Sequence, residues 1–334
     1  MKGKLINSFL MKKPKISVIG AGKVGENVAY LLTILGLGDV YLFARYKKGL
    51  EPAKAKALDL KQMAVLMDID INVKGISYDK EGFEELKGSD IVVITAGIPR
   101  REGMSREDLL YENLKILKKF TDAIKEYAKD SIIIVVSNPV DTLTYATIKL
   151  TGFEPRRVIG MAGVLDSARF KNFVKEKIGI SNADIRTLVL GTHGDLMVPV
   201  TSHSFIGDKP IEEVFSASEI DELIEKTRKG GAQIVSLMGT SAYYAPAASV
   251  VIMVESIIND RKRVMPCSVY VEGEAAKHYE IEGVCIGLPV VLGKKGVEDF
   301  ELVNLSGYEK RELLRSAKTL KEMVSLADKL LNEL

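Results

Sequence analysis

The sequence predicts an α/β fold in which an N-terminal doubly wound parallel sheet is followed by a C-terminal mixed α+β domain. Short, wholly apolar strands alternate with helical patterns in the first half, which is typical of a parallel sheet covered on both faces. The second half mixes helical and strand-like segments without that alternation. The 334 residues also match two domains at a prior of about 150 residues per domain.

The N-terminal elements follow from apolar runs and helical periodicity. KISVIG is a β-branched run that ends in glycine, and IVVITA and IIIVVS are similar apolar runs. Between such runs, apolar residues such as Ala57, Leu60 and Ala64 recur at helical spacing. The predicted strands are 15–20, 39–43, 91–96 and 132–137, and the predicted helices are 23–35, 53–67 and 106–129.

The C-terminal half is predicted to contain strands at 185–190, 264–272 and 284–292, with helices at 164–178, 218–239, 242–259 and from Tyr308 to the end. Gly and Pro in TGFEPRR indicate a boundary between domains near this segment. We therefore expect one domain at 15–155 and a second at 156–334. Residues 1–14 form an extension to which the sequence assigns no role.

Composition excludes several partners. The formal net charge is only +2, and no basic stripe indicates a nucleic-acid ligand. No apolar run approaches the roughly 20 residues of a membrane span. The two cysteines, Cys267 and Cys285, lie in apolar surroundings and are expected to be reduced, buried side chains. These features favour a cytoplasmic protein that binds a small molecule.

The motif GAGKVG predicts a dinucleotide-binding Rossmann domain because it lies between the first strand and the first helix. The first glycine permits a tight turn, the second lets the backbone approach a pyrophosphate, and the third lets helix and strand pack closely. The alternative is a glycine-rich turn that only packs. The candidate phosphate-binding residues are Gly20, Ala21, Gly22, Lys23, Val24 and Gly25.

The end of the second strand lacks the acid that usually binds the ribose of NAD. A carboxylate is expected about 20 residues after the glycines, but LFARYKKG has Ala44 and Arg45 at this point. A guanidinium attracts a 2′-phosphate, whereas a carboxylate repels it. The sequence therefore predicts that NADP is accepted beside NAD. The alternative is that NAD binds without the acidic contact and these basic side chains are merely solvated.

Three segments of the sequence carry candidate site residues. His193, in LGTHGD after an apolar strand, is well placed for proton transfer, unlike His203 and His278. Asp166 and Arg169 are expected at i and i+3 on one helix face, although an ordinary surface ion pair would give the same pattern. SNPVD places Asn138 at the carboxyl edge of the sheet, where ligands bind, although this asparagine could also serve only the turn.

The motifs together resemble the lactate/malate dehydrogenase family, and most closely the lactate-dehydrogenase-like branch of its malate dehydrogenases. They occur in the family's order from about Lys15 to the C-terminus: GAGKVG, ITAGIPRREGMSREDLL, SNPVD, GVLDSARF, GTHGDLMVP and GTSAYYAPAAS. The resemblance implies a Rossmann domain followed by a catalytic domain. It also implies that the protein is a homodimer or homotetramer of the tricarboxylic acid cycle, with no metal site.

The resemblance also implies roles for individual residues. His193 would exchange a proton with the C2 oxygen of the substrate, and Asp166 would orient its imidazole. Arg169 would pair with the C1 carboxylate, and Arg106 would polarise the C2 carbonyl when its loop closes. Asn138 would lie near the substrate oxygen and the nicotinamide. Contacts with the cofactor are implied for Asn113 and Val136, in addition to Asn138.

The loop GIPRREGMSRED carries three arginines, and in the resembling family one of these positions separates substrates. Lactate enzymes have glutamine at the position that matches Arg100, and malate enzymes have arginine. A guanidinium pairs with the C4 carboxylate of oxaloacetate, which would otherwise be enclosed without a partner. Arg101 is adjacent and could stand in for Arg100.

The expected activity is therefore reversible hydride transfer between NAD(P)H and oxaloacetate, giving (S)-malate. The main alternative is a dehydrogenase of lactate or another 2-hydroxy acid. Two more distant alternatives are an NAD-dependent glycosidase, which would need a metal and a longer chain, and a non-catalytic nucleotide-binding redox sensor. The intact GTHGD motif and the loop arginines argue against the glycosidase, and the intact set of His193, Asp166, Arg169 and Arg106 argues against the sensor.

Overall fold

The computed structural model describes residues 13–99 and 103–334. Its N-terminal sheet consists of six parallel strands: β1 (Lys15–Ile19), β2 (Asp39–Ala44), β3 (Val73–Ser77), β4 (Ile91–Ile94), β5 (Ile132–Val135) and β6 (Val158–Gly160). They lie in the order β3-β2-β1-β4-β5-β6. The connection reverses between β1 and β4, which is the point where ligands bind at the carboxyl edge of such sheets.

The helices of this half are α1 (Lys23–Ile34), α2 (Pro52–Leu66), the short α3 (Tyr78–Glu81), α4 (Arg106–Tyr127) and α5 (Val140–Thr151). The predicted α/β class and the four predicted strands are confirmed, and the three predicted helices end within two residues of the observed ones. Ser105 caps α4 through a reciprocal bond with Asp108, so Arg106 is the first helical residue.

The C-terminal half extends the same sheet. Its strands are β7 (Ile185–Arg186), β8 (Val189–Gly191), β9 (Met197–Pro199), β10 (Phe205–Ile206), β11 (Lys209–Pro210), β12 (Arg263–Tyr270), β13 (Cys285–Gly293) and β14 (Gly296–Phe300). β12 pairs antiparallel with β6, and the order continues β13-β8-β9, with β14 on β13. The predicted boundary between residues 155 and 156 therefore precedes the last parallel strand, β6, by two residues.

The helices of the second half are α6 (Gly163–Ile178), α7 (Ile211–Val214), α8 (Ala217–Met238), α9 (Tyr244–Ile258), α10 (Gly273–Tyr279) and α11 (Gly307–Asn332). The predicted strand at 185–190 is wrong as a single element. Its first part pairs with β10 in a small sheet, and its second part pairs with β9 and β13 in the large one. The chain changes sheets at Thr187 and Leu188, where Thr187 donates to the Ser167 carbonyl instead.

Four N-terminal elements were not predicted: the four-residue α3, which is a single turn, and β3, β6 and α5. β3 has a glycine at its centre, because a Cβ at Gly75 would lie 2.2 Å from the Ala53 carbonyl oxygen of α2. β6 has only three residues. α5 is rich in threonine, a poor helix former, and the hydroxyls of Thr144 and Thr147 each donate to a carbonyl four residues earlier.

Cys267 on β12 and Cys285 on β13 are buried free thiols, as predicted, and burial raises the pKa of both. Among residues 13–99 and 103–334, no helix combines the length and the apolar character that a bilayer crossing requires.

A buried carboxylate fastens the start of α11 to the rest of the domain. Glu309 is 2% exposed and accepts hydrogen bonds from the Ser202 hydroxyl at 2.7 Å and from the Ser306 backbone N–H at 2.8 Å. Burial opposes its charge, but these hydrogen bonds outweigh burial and lower the pKa of Glu309. Further along α11, the Ser316 hydroxyl accepts from the Thr192 N–H at 2.9 Å, next to His193.

Replacing Glu309 by glutamine is expected to lower the free energy of unfolding by about 1–3 kcal/mol, because buried donors lose a charged acceptor. Because its pKa is lowered on folding, the wild-type advantage should be present at neutral pH and lost as the pH falls through the folded pKa. Urea unfolding at pH 7 and pH 4 measures both effects. Glu322→Gln, an exposed change on the same helix, is the control. Equal midpoints for Glu309→Gln and wild type would contradict this role.

Candidate active site

The glycine-rich loop between β1 and α1 has the geometry of a phosphate-binding turn. Gly20 has φ +115°, and a Cβ at Gly25 would lie 1.8 Å from the Gly20 carbonyl oxygen, so the predicted tight turn and close packing are confirmed. A Cβ at Gly22 would meet nothing within 4 Å. Gly22 is also the N-cap of α1 and offers no side-chain cap. The open face of this loop and its uncapped helix end fit a pyrophosphate.

A lysine that sequence reasoning did not single out supports this loop from α2. Lys56 donates from Nζ to the Ala21 carbonyl oxygen at 2.6 Å and pairs with the Glu26 carboxylate in the first turn of α1. The ammonium therefore ties the loop to the first turn of α1, with its charge paired by Glu26. Nearby, Lys23 lies with its Nζ 5.3 Å from the Tyr243 ring centroid. Val24 is partly buried and packs against the core.

The end of β2 carries no acidic side chain. Ala44 is the last residue of the strand and pairs with Ser77 of β3. Arg45 is exposed and donates from Nε to the Tyr78 hydroxyl at 3.1 Å. The nearby carboxylate of Asp79 accepts from the Tyr46 backbone N–H at 2.7 Å, so one of its oxygens is already used.

The fold brings three of the predicted residues into direct contact. Nδ1 of His193 lies 2.8 Å from Oδ2 of Asp166, and Nη1 of Arg169 lies 3.1 Å from Oδ1 of the same carboxylate. The Asp166 side chain is 2% exposed, whereas those of His193 and Arg169 are 15% and 16% exposed. The buried Asp166 carboxylate thus contacts both the His193 imidazole and the Arg169 guanidinium, and each of these two groups is partly exposed to solvent.

The environment of His193 favours its protonated form. Burial opposes the imidazolium, but the charge and hydrogen bond of Asp166 outweigh burial and the opposing charge of Arg169, and they raise the pKa of His193. A histidine with a raised pKa is a proton donor near neutral pH. Since Nδ1 faces Asp166, Nε2 is the nitrogen left to exchange a proton with a ligand.

Close packing of α6 against β8 and β12 produces this contact. A Cβ at Gly163, the first residue of α6, would lie 2.7 Å from the Val189 carbonyl oxygen and 2.7 Å from the Pro266 side chain. Only glycine allows α6 to start so close to β8. Asp166, one turn into α6, is therefore brought under His193, which follows β8 by two residues.

Arg169 lies beneath a pair of glycines in α8. A Cβ at Gly230 would lie 3.6 Å from Cδ of Arg169, and one at Gly231 would lie 3.7 Å from Nη2. α8 therefore passes directly over the guanidinium and limits where it can move. Asp166 contacts the guanidinium on one side and α8 packs on the other. The guanidinium therefore presents its N–H donors in a fixed plane, which suits two hydrogen bonds to a carboxylate.

A cavity of about 360 Å³ opens beside His193. Its wall includes Arg106, Asp141, His193, Asp195, Thr319 and Met323. Arg106 is exposed and reaches this cavity from the first turn of α4, whereas Arg169 and Asn138 do not line it. A larger cavity of about 870 Å³ near Tyr270 and Lys321 contains none of the predicted site residues.

Asn113 and Asn138 are joined to each other. The buried amide of Asn113 donates to the Asn138 carbonyl oxygen at 2.9 Å, and its Oδ1 accepts from the Ile98 N–H at 2.8 Å. Asn138 itself is exposed after β5, and Val136 is buried just before it. Asn113 therefore ties the segment after β4 to the segment after β5. Its direct contact with a cofactor stays a prediction.

Arg100, the predicted specificity residue, lies outside the described residues, as does Arg101.

Asp141 belongs to the SNPVD motif, but the sequence analysis assigned it no role. It is buried, and its Oδ2 accepts a hydrogen bond from the His193 backbone N–H at 2.9 Å. Its position three residues after Asn138, at the same edge of the sheet, was a signal that could have identified it.

Comparisons with known proteins agree with this geometry. Residues 14–160 match the family model described as lactate/malate dehydrogenase, NAD binding domain. Residues 163–330 match the model described as lactate/malate dehydrogenase, alpha/beta C-terminal domain. The two models together cover nearly all of the described chain. Among the described residues, no group of three or more His, Cys, Asp or Glu side chains forms a candidate metal site.

Individual relatives cover nearly the whole chain. Malate dehydrogenase 1 of Aquifex aeolicus is 49% identical over 326 residues, covering 96% of this chain and 97% of that protein. The apo malate dehydrogenase structure from Picrophilus torridus has a TM-score of 0.92 at 42% identity, covering 96% and 99% of the two chains. A Cryptosporidium parvum lactate dehydrogenase, complexed with lactic acid and β-nicotinamide adenine dinucleotide, has a TM-score of 0.89 at 34% identity, covering 96% and 99%.

Proposed function

Because the chain belongs to the lactate/malate dehydrogenase family, we propose that it reversibly transfers a hydride between a nicotinamide cofactor and oxaloacetate, giving (S)-malate. The observation that carries this proposal is the Asp166 carboxylate, which holds the His193 imidazole and the Arg169 guanidinium within 3.1 Å. This arrangement joins a proton donor to a carboxylate-binding group. Both lie in the domain that follows a dinucleotide-binding fold.

His193 exchanges the proton in this reaction. In the reductive direction its Nε2–H donates to the C2 oxygen of oxaloacetate, and in the oxidative direction the neutral ring accepts the proton from malate. The Asp166 carboxylate keeps the proton of the neutral ring on Nδ1 and stabilises the imidazolium. The raised pKa of His193 shifts the ring towards its protonated form, which suits oxaloacetate reduction.

Two arginines orient and polarise the substrate. Arg169, fixed by Asp166 and by α8, binds the C1 carboxylate through two N–H groups. Arg106, at the mouth of the cavity beside His193, directs its charge at the C2 oxygen. Asn138 lies at the carboxyl edge of β5, where the bound nicotinamide and the substrate oxygen would meet.

The residues of the N-terminal domain fit NAD. The open Gly22 and the uncapped start of α1 would hold the pyrophosphate, and Lys56 fixes the same loop through the Ala21 carbonyl. Ala44 and Arg45 would face the adenosine ribose, and Val136 and Asn138 the nicotinamide. When bound, the reduced nicotinamide supplies the hydride for C2.

We further propose that NADPH is accepted beside NADH, because Ala44 replaces the usual acid and Arg45 follows it. Replacing Ala44 by aspartate is expected to lower kcat/KM for NADPH by about 10-fold to 100-fold relative to NADH, since a carboxylate repels the 2′-phosphate. Steady-state assays with both cofactors measure the ratio. Ala44→Asn is the control, because asparagine has the shape of aspartate but carries no charge. A wild-type enzyme without NADPH activity would end this proposal.

The choice of oxaloacetate over pyruvate is supported by near-full-length relatives named malate dehydrogenase at 43–49% identity and by the presence of Arg100 in the loop. A lactate dehydrogenase structure is nearly as similar in fold. The backbone therefore does not discriminate the two activities. A spectrophotometric assay that crosses oxaloacetate and pyruvate with NADH and NADPH tests the proposal. Equal turnover of pyruvate and oxaloacetate would contradict it.

We propose that the protein is a homodimer or homotetramer. Large apolar side chains are exposed along one stripe of α2, where Leu58, Val65 and Leu66 are 59%, 76% and 85% exposed. Contiguous exposed apolar surface of this kind indicates a protein interface, and a second copy would cover it. Light scattering after size exclusion gives the mass, and a monomer across the micromolar range would contradict this proposal.

The buried free thiols support a reducing, cytoplasmic compartment.

A further inference from the structure

Asp141 is a second buried carboxyl group behind the catalytic histidine. It lies in the first turn of α5, is 4% exposed, and lines the cavity that His193 also lines. Its Oδ2 accepts the backbone N–H of His193 at 2.9 Å. The mechanism proposed above does not use this side chain. A carboxylate so close to a group that gains and loses charge must affect that group.

Groups from every surrounding element face Asp141. The turn after β8 contributes His193, and α6 contributes the Asp166 carboxylate, which disfavours a second negative charge nearby. β12 contributes the Ser268 hydroxyl, and β13 the Cys285 thiol, whose own pKa Asp141 helps to raise. Across the cavity, α4 contributes the positive charge of Arg106, and the turn after β8 contributes the exposed carboxylate of Asp195.

The second oxygen of Asp141 is unusual for a buried carboxyl. Oδ1 is buried and has no hydrogen-bond partner among the described residues, and the same holds for the Ser268 hydroxyl that faces it. A buried carboxyl without its full set of partners is costly, so a purely structural role explains it poorly. Of the described residues, His193 supplies its one hydrogen bond of ordinary geometry, through the backbone N–H, and the Ser268 hydroxyl lies close enough to lower its pKa.

We propose that Asp141 is a positioning residue that holds the turn carrying His193 and places a second negative charge beneath its imidazole, so that it sets the pH range over which His193 carries the transferable proton. This inference rests on the proposed function and adds to it a residue that acts on the proton transfer through His193.

The sign of the effect follows from the charges. Burial raises the pKa of Asp141 to about 6, although the Ser268 hydroxyl and then the His193 backbone N–H oppose this rise, so the carboxylate is ionised above that pH. Its negative charge then stabilises the imidazolium and raises the pKa of His193, in the same direction as Asp166 and against Arg169. Loss of this charge must lower the pKa of His193.

Asp141→Asn is the sharpest variant because it removes the charge and keeps an oxygen that accepts the His193 N–H. For oxaloacetate reduction, the alkaline limb of the kcat/KM profile is expected to move to lower pH by about 0.5–1 pH unit. For malate oxidation, which needs the neutral ring, the acid limb should move to lower pH by the same amount. A merely structural role would lower rates at all pH values without moving either limb.

Ser268→Ala is the matched control, because Ser268 is buried beside the same carboxyl but carries no charge. Asp141 stays ionised at alkaline pH in this variant, so the alkaline limb should not move. An equal displacement in Ser268→Ala and Asp141→Asn would assign the effect to packing and overturn the proposal.

A direct titration does not depend on turnover. NMR of histidine-labelled protein should show His193 titrating at lower pH in Asp141→Asn, and only three histidines need assignment. If Asp141→Asn does not fold, the wild-type His193 signal should still show a second inflection near pH 6 from Asp141. An unchanged His193 titration in the variant, or a single inflection in the wild type, would refute the proposal.

Different results would contradict the proposed activity and the proposed role of Asp141. A wild-type protein that does not reduce oxaloacetate would remove the proposed function, whatever the His193 titration shows. A wild-type protein that reduces oxaloacetate, with limbs unmoved in Asp141→Asn, would remove only the role of Asp141.

Discussion

Replacing Asp166 by asparagine is expected to lower kcat for oxaloacetate reduction by about 10²-fold to 10⁴-fold. The carboxylate contacts the His193 ring at 2.8 Å and the Arg169 guanidinium at 3.1 Å, so the change affects both groups. An amide neither stabilises the imidazolium nor holds the guanidinium by charge. The pKa of His193 should fall, and the KM for oxaloacetate should rise as Arg169 is released.

Steady-state kinetics over pH 5–10 measure both effects of Asp166→Asn. Asp184→Asn is the control, because it makes the same charge change at an exposed position of the same half. The asparagine variant should remain folded, since asparagine has nearly the same shape as aspartate. A kcat within threefold of wild type would remove Asp166 from the mechanism.

Replacing Arg100 by glutamine is expected to lower kcat/KM for oxaloacetate by about 10²-fold or more and to leave that for pyruvate within about threefold. Oxaloacetate carries a C4 carboxylate that pyruvate lacks, and enclosing this charge without a partner costs several kcal/mol, on the order of 3–5 kcal/mol. Only the larger substrate loses its partner in this variant. The ratio of the two kcat/KM values is therefore the decisive measurement.

The adjacent arginine provides a matched control. Arg101→Gln removes the same charge from the next residue of the same loop and should change neither kcat/KM by more than about threefold, as for a solvated charge. If Arg101→Gln instead caused the selective loss, the specificity role would belong to Arg101. Equal losses on both substrates in Arg100→Gln would assign the residue to catalysis or loop structure and not to substrate choice.

Strong local patterns allowed most of the architecture to be predicted. Wholly apolar runs such as 91–94 and 132–135 are buried on both sheet faces, so their composition alone identifies them. The elements that were missed are those whose composition reflects a neighbour. β3 contains Gly75 because α2 lies against it, and α5 is rich in threonine although every threonine of the helix is buried.

In the candidate site, too, local patterns were predictable and long-range contacts were not. The helical spacing predicted only that Asp166 and Arg169 share a helix face, and the family resemblance implied their connection with His193; the structure shows that the three side chains touch. The link from Glu309 to Ser202 and that from Asp141 to the His193 backbone were not predicted. Each joins residues at least 50 positions apart, so no local pattern in the sequence reveals it.

The sequence by itself determined the fold class, the phosphate-binding turn and the chemical groups of the site, because apolar periodicity, glycine spacing and side-chain type are local properties of the chain. Only the tertiary structure decided which groups share an electrostatic environment. Burial and distance set the pKa of His193 and of Asp141, and both depend on how α5, α6 and the turn after β8 pack together.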